Sequence, residues 1–285
     1  MKRVLLIGGS GQLGTEIRRH WTDCEIAAPS RDALEFEDTI GLAEALDERR
    51  PEVVVNCTAF HNVDRCEDVP NRAFEVNALS VDRAARLCHD RNVVFVTIST
   101  DYVFDGTASR PYVESDAPHP INAYGASKLA GELLVERLHS RAFVVRTCGL
   151  YGEHASEGKG YTFVDRILAQ ARAGQPVRVV RDVMASPTFA GDLAVALRAL
   201  VETEAFGTYH LANAGPVSWY DFAREALRRA GVAWEIEPIG AAEWKGGARR
   251  PAYSALGSER LGALGIEMPA WDQGIAHYLR LKSGN

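Results

Sequence analysis

The sequence predicts an α/β fold, a doubly wound parallel sheet (Rossmann) with a smaller C-terminal substrate-binding lobe. Three observations predict it: short apolar runs alternating with helical patterns in the first half, a glycine loop between the first run and the first helix, and a change of texture after Gly149. The runs Val4-Leu5-Leu6-Ile7, Val53-Val54-Val55 and Val93-Val94-Phe95-Val96 are apolar on both faces, as strands covered by helices on both sides must be. Between them the spacing predicts helices near Gly14 to Trp21, Thr39 to Arg50 and Pro70 to Asp90, with another strand at Glu25 to Ala28.

Pro118 and Pro120 punctuate a loop before a helix from Ala123 to Leu138, and Ala142 to Val145 is the next strand. Gly152, Gly158 and Gly160 then mark a loop, Phe163 to Ala173 a helix, Val177 to Val180 a short strand and Thr208 to Ala212 a last sheet strand. Trp219 to Ala230 has a helical pattern, with Ser218 as its N-cap and Trp219, Tyr220 and Phe222 most simply as its core face, a nucleotide-stacking role being the alternative. From Val232 onward, short elements are separated by Pro238, Pro251 and Pro269. The expected division is a Rossmann domain of residues 1–150 and about 185–213, with the smaller lobe formed by about 151–184 and 214–285.

With 46% hydrophobic and 25% charged residues, the chain has the composition of a globular protein that can bury a core. A net charge of -6 gives no basic surface for nucleic acid, so none is expected as a partner. The five cysteines are scattered and never spaced C-x-x-C, which argues against a disulfide framework or a zinc knuckle. His61 has no second histidine at ligand spacing, and no metal site is expected. The apolar start is too short for a signal segment or a spanning helix, so the expectation is a cytoplasmic monomer or homodimer with no membrane partner.

Gly8-Gly9-Ser10-Gly11-Gln12-Leu13-Gly14 follows the first strand and opens a helix, the context that makes glycines a dinucleotide-binding loop. Gly8 permits the turn, Gly11 lets a pyrophosphate meet bare backbone, and Gly14 lets the helix pack close. Unpaired N–H groups at the helix start suit phosphate. At the end of the second strand, Arg31 suits the 2'-phosphate of NADPH, while Asp32 beside it leaves NADH possible.

Tyr124 and Lys128 are four residues apart, one turn on one face of a helix. A phenol with an ordinary pKa near 10 holds its proton too tightly for neutral-pH chemistry, and a nearby ammonium eases its release. Upstream, Ser99-Thr100-Asp101-Tyr102 directly follows the fourth apolar run, which puts a hydroxyl at the carboxyl end of a sheet strand, where ligands bind in such folds.

STDYVFDG at 99–106, YGASK at 124–128, Val55 to Asp64 and Ser186-Pro187-Thr188 together resemble the dTDP-4-dehydrorhamnose reductase family, in order and over nearly the whole chain. The resemblance implies a reductase using NADPH on the keto group of a nucleotide-activated 6-deoxysugar. It further implies that Thr100 polarises the sugar carbonyl, Tyr124 donates the proton, and Lys128 lowers the phenol pKa and holds the nicotinamide ribose. Gly11, Gln12 and Leu13 would line the pyrophosphate, Glu35 and Phe36 the adenine, and Ala59, Phe60 and His61 the cofactor from the third strand. Asp101 and Tyr102 would face the sugar. Asn77 would hold a relay water or serve as a packing asparagine.

Two rivals stand beside this. Nucleotide-sugar dehydratases and epimerases share the fold, but similar dehydratases carry a glutamate where Tyr102 stands, and a phenol is a poor base for elimination. A non-catalytic NADP-binding regulatory subunit keeps much the same motifs. The chain also departs from the family: a serine-tryptophan pair, whose indole packs on the sugar, is replaced by Cys148-Gly149. The expectation is an altered pocket, or one filled by Tyr151 or Tyr161.

Overall fold

In the computed structural model, which describes residues 1–153, 161–243 and 246–283, strand and helix alternate from the start. The first half runs β1 (Lys2–Ile7), α1 (Gln12–His20), β2 (Cys24–Ala27), α2 (Thr39–Arg49), β3 (Val53–Asn56), α3 (Val63–Asp68), α4 (Pro70–Phe74), α5 (Ser80–Asp90), β4 (Val94–Thr100), α6 (Ala123–Leu138) and β5 (Ala142–Thr147). The second half adds α7 (Phe163–Arg172), β6 (Val177–Val180), β7 (Met184–Ala185), α8 (Ala190–Thr203), β8 (Gly207–His210), β9 (Val217–Ser218), α9 (Trp219–Arg229), β10 (Ile236–Ile239) and α10 (Trp271–Ser283). The loop expected around Gly158 and Gly160 lies outside the described residues.

Six strands form one parallel sheet in the order β2-β1-β3-β4-β5-β8. Alternation within each strand supplies two cores. Val4 and Leu6 of β1 face one side with Leu13 and Ile17 of α1 and Leu193 and Leu197 of α8. Leu5 and Ile7 face the other with Leu42 of α2, Ala84 of α5 and Val135 of α6. This is why each run is apolar throughout rather than at alternate positions. The chain leaves β1 toward β2 on one side and β3 on the other, so a crevice opens between β1 and β3 at the carboxyl ends.

A third core joins α7, β6, α9, β10 and α10 through Val164, Ile167, Val179, Phe222, Leu227 and Tyr278. β6 pairs with β10 in parallel and β7 with β9 antiparallel.

Two expectations needed correction. The helix predicted from Pro70 to Asp90 is broken by a π-helical turn, Glu75–Leu79, between α4 and α5. Such turns are frequent at functional sites, and this one carries the buried Asn77. The tail read as short elements ends instead in α10, thirteen residues long.

Candidate active site

The glycine loop opens α1 at the crevice. Gly11 occupies the N-cap position with no side-chain cap, and its own N–H donates to the Gly8 carbonyl at 3.1 Å. The first N–H groups of α1 therefore have no capping side chain to satisfy them. Gly14 is dictated by packing: a β-carbon there would stand 2.3 Å from the Gly8 carbonyl oxygen. Only a bare α-carbon lets the helix close on the loop.

At the end of β3, the buried Asn56 accepts from Thr58 N–H at 3.0 Å and from the Thr58 hydroxyl at 2.6 Å, which turns the chain into Ala59, Phe60 and His61. Asn77 fixes the next peptide from both sides. Its Oδ1 accepts from Phe60 N–H at 2.8 Å, and its Nδ2 donates to the Phe60 carbonyl at 3.0 Å and to Ser127 Oγ at 3.0 Å. This side chain, expected to hold a water or to cap or pack, ties the cofactor-side loop to α6.

The helix α6 starts where Asn122 Oδ1 accepts from Gly125 N–H at 2.8 Å, while Asn122 Nδ2 donates to the Arg249 carbonyl at 2.8 Å. A β-carbon at Gly125 would lie 2.0 Å from the Tyr102 carbonyl oxygen. Glycine there lets α6 press on the turn after β4 and brings Tyr124 against Thr100. The Thr100 hydroxyl stands beside the Tyr124 phenol, and the Tyr102 and Tyr124 rings meet edge-on at 6.0 Å. Burial raises the Tyr124 phenol above its ordinary pKa, and the Thr100 hydroxyl works in the opposite direction.

Lys128 is buried one turn further along α6, and burial lowers its ammonium to about 8 against the upward influence of Glu132. The Glu132 carboxylate is in turn held by Arg146 Nη2 at 2.6 Å and by the Ser99 hydroxyl. Asp101 is buried as well. It accepts from Thr100 Oγ1 at 3.1 Å and Cys148 Sγ at 3.1 Å, and burial pushes its carboxyl up to about 6 against hydrogen bonds that include one to Ser254.

These groups open on one cavity of about 920 Å³. Gly8, Gly11, Gln12, Leu13, Arg31, Glu35 and Phe36 line it from the β1–β2 side, Ala59, Phe60 and His61 from β3, and Thr100, Asp101, Tyr102 and Tyr124 beyond β4. Lys128 and Gly14 lie behind this lining rather than in it. Arg31 bonds Glu35 at 2.8 Å on the rim. Lining residues that sequence reasoning gave no role include Arg72 on α4 and, from the lobe, Arg178, Arg249, Arg250 and Phe163. The positions of the lobe residues depend on how the lobe packs, which no local motif records.

The space left by Gly149 is not empty. A β-carbon there would meet the Trp219 indole at 3.0 Å. Neither anticipated tyrosine fills it: Tyr151 is 2% exposed in the lobe core and Tyr161 stands 46% exposed. Glu16, buried, is paired with Arg19 at 3.0 Å, and among the described residues no cluster of three metal-ligating side chains occurs.

A glycine loop at the switch point of a parallel sheet and a threonine-tyrosine hydroxyl pair beside a buried lysine define an oxidoreductase of the short-chain dehydrogenase type. The chain matches the family model described as the RmlD substrate binding domain over residues 1–283, and it belongs to that family. It is 36% identical to a dTDP-4-keto-6-deoxy-D-glucose reductase of Streptomyces niveus, covering 90% of this chain and 89% of the relative. It is 32% identical to the dTDP-4-dehydrorhamnose reductase of Escherichia coli, covering 97% and 96%. Among solved structures, a dTDP-4-dehydrorhamnose reductase of Bacillus anthracis in complex with NADP superposes with a TM-score of 0.93 at 33% identity, covering 98% and 99%.

Proposed function

We propose that this chain is an NADPH-dependent reductase of the 4-keto group of a nucleoside-diphosphate 6-deoxysugar, of the dTDP-4-dehydrorhamnose reductase kind. The observation that carries it is that the Thr100 and Tyr124 side chains stand together at the carboxyl end of β4, in the cavity that the glycine loop enters.

The residues fit the cofactor. Gly11 starts α1 with no side-chain cap and lines the cavity, Arg31 stands at the adenosine end, and Thr147 lines the cavity with a buried hydroxyl that lacks a protein partner. Bound NADPH supplies the hydride. Thr100 holds the keto oxygen, and Tyr124 gives it a proton as negative charge develops. Lys128, charged below about pH 8, offers its ammonium to the ribose and to the phenolate left behind. Arg249 and Arg250 on the lobe side offer guanidinium groups suited to a diphosphate.

Tyr102 in place of an acid or base favours reduction over dehydration. The regulatory alternative is separated by turnover: steady NADPH oxidation with dTDP-4-dehydrorhamnose supports the enzyme, and tight NADPH binding with no oxidation of any keto-sugar nucleotide refutes it. We further propose a cytoplasmic monomer or homodimer, divided at the boundaries expected from the sequence. In support, all five cysteines are free, and no helix among the described residues is long and apolar enough to cross a membrane.

A further inference from the structure

Trp219 opens α9 in the lobe, yet its indole reaches the carboxyl end of β5. A β-carbon at Gly149 would stand 3.0 Å from its Cη2 and 3.3 Å from its Cζ2, with the Pro187 α-carbon at 3.2 Å. Gly149 has φ +52°, a conformation that disfavours any side chain, so bare backbone passes beneath the ring.

The indole is held from several sides. It contacts the Phe163 ring at 4.8 Å and the Phe222 ring at 5.9 Å. Its backbone N–H donates to the Val183 carbonyl at 3.3 Å, and Ser218 caps the helix through Asp221 N–H at 2.9 Å. It also packs against the cluster that contains Val103, Phe104 and Cys148. Despite these contacts the side chain is only partly buried, and it lines the cavity together with Phe163. Cys148, one residue before Gly149, bonds Asp101, which also accepts from Thr100 beside Tyr124. The ring therefore stands beside the cluster around the proton donor.

We propose that Trp219 is the apolar wall of the keto-sugar subsite, so that a residue of the lobe sets how the pyranose ring is held. A pyranose directs its hydroxyls outward and leaves a carbon–hydrogen face that an indole buries without displacing a hydrogen bond. Trp219 and Gly149 form a matched pair, because a side chain at 149 pushes the ring out of place. This rests on the reductase function proposed above.

The test uses the full chain as Trp219→Ala, Trp219→Phe and Gly149→Ala. NADPH oxidation is followed at varied dTDP-4-dehydrorhamnose, and NADPH affinity is followed by the cofactor's own fluorescence. Trp219→Ala is expected to raise KM for the keto sugar about ten- to hundredfold, with NADPH affinity held within about twofold. Trp219→Phe falls between, and Gly149→Ala follows Trp219→Ala. In wild type, dTDP-rhamnose quenches tryptophan fluorescence beyond what dTDP alone does, and Trp219→Phe loses that difference. An unchanged KM in Trp219→Ala overturns the proposal, and Trp219→Phe decides if the alanine variant does not fold. Failure of the reductase function shows separately, as no turnover by wild type. The quenching difference then decides for the wall if present and against it if absent.

Discussion

Lys128 and Glu132 stand one turn apart on α6, both buried, and the carboxylate that sustains the charge of the lysine is bound by Arg146 at 2.6 Å. Glu132 therefore serves two cations. Glu132→Gln leaves Arg146 buried without its counter-charge, which costs about 3–5 kcal/mol. Urea denaturation measures the loss. Replacing the pair together, Glu132→Leu with Arg146→Met, is expected to restore much of it, since two apolar side chains carry no unpaired charge. A double variant as weak as Glu132→Gln would show that the pair itself, not the orphaned charge, matters.

Tyr124→Phe removes the hydroxyl beside Thr100 and leaves a ring that still meets Tyr102 edge-on. Reduction is expected to fall about 100- to 10,000-fold, because only the proton donor is lost. NADPH affinity, measured by fluorescence titration, stays within about twofold. Retention of most activity would remove Tyr124 from the chemistry.

Arg31 already bonds the Glu35 carboxylate, so a 2'-phosphate must share the guanidinium with an acid. Arg31→Ala is expected to weaken NADPH by about 1.5–3 kcal/mol and leave NADH nearly unchanged. Glu35→Gln is expected to act in the opposite direction and tighten NADPH, since it removes a like charge from beside the phosphate. Comparing kcat/KM for both cofactors in the two variants checks the pair of signs.

Asp101 is held near 6 in the folded chain against an ordinary value of 3.8. Between those values the native state binds more protons than the unfolded one, so stability falls as pH rises through the window. The group's contribution is on the order of 3 kcal/mol, fully lost above about pH 6. Asp101→Asn carries no such charge. Denaturation midpoints at pH 4.5 and pH 7 are expected to lie closer together in the variant than in wild type.

The inner strands were legible in the sequence because β3 and β5 are buried throughout, and Ser218 announced α9 through a cap that the structure confirms. The helix α8 gave no such signal: its N-cap is Phe189, which makes no side-chain bond. α10 did carry signals, Asp272 in its first turn and Arg280 and Lys282 in its last, but three prolines upstream suggested a broken tail. Asn77 was visible as a polar residue in a helix, while the π-helical turn that aims it at Phe60 depends on tertiary contact. Trp219 was legible as a core or nucleotide-stacking aromatic but not as a partner of Gly149, since that meeting joins residues seventy apart.

The most direct test of the central claim is to follow the hydride. Wild-type chain is supplied with NADPH carrying deuterium at the transferring position and with dTDP-4-dehydrorhamnose, and the product sugar is analysed by NMR. The account predicts one deuterium at C4 of the product for each NADPH consumed, and no detectable transfer with Tyr124→Phe over the same time. Recovery of unlabelled keto sugar with the cofactor bound but unoxidised would contradict it.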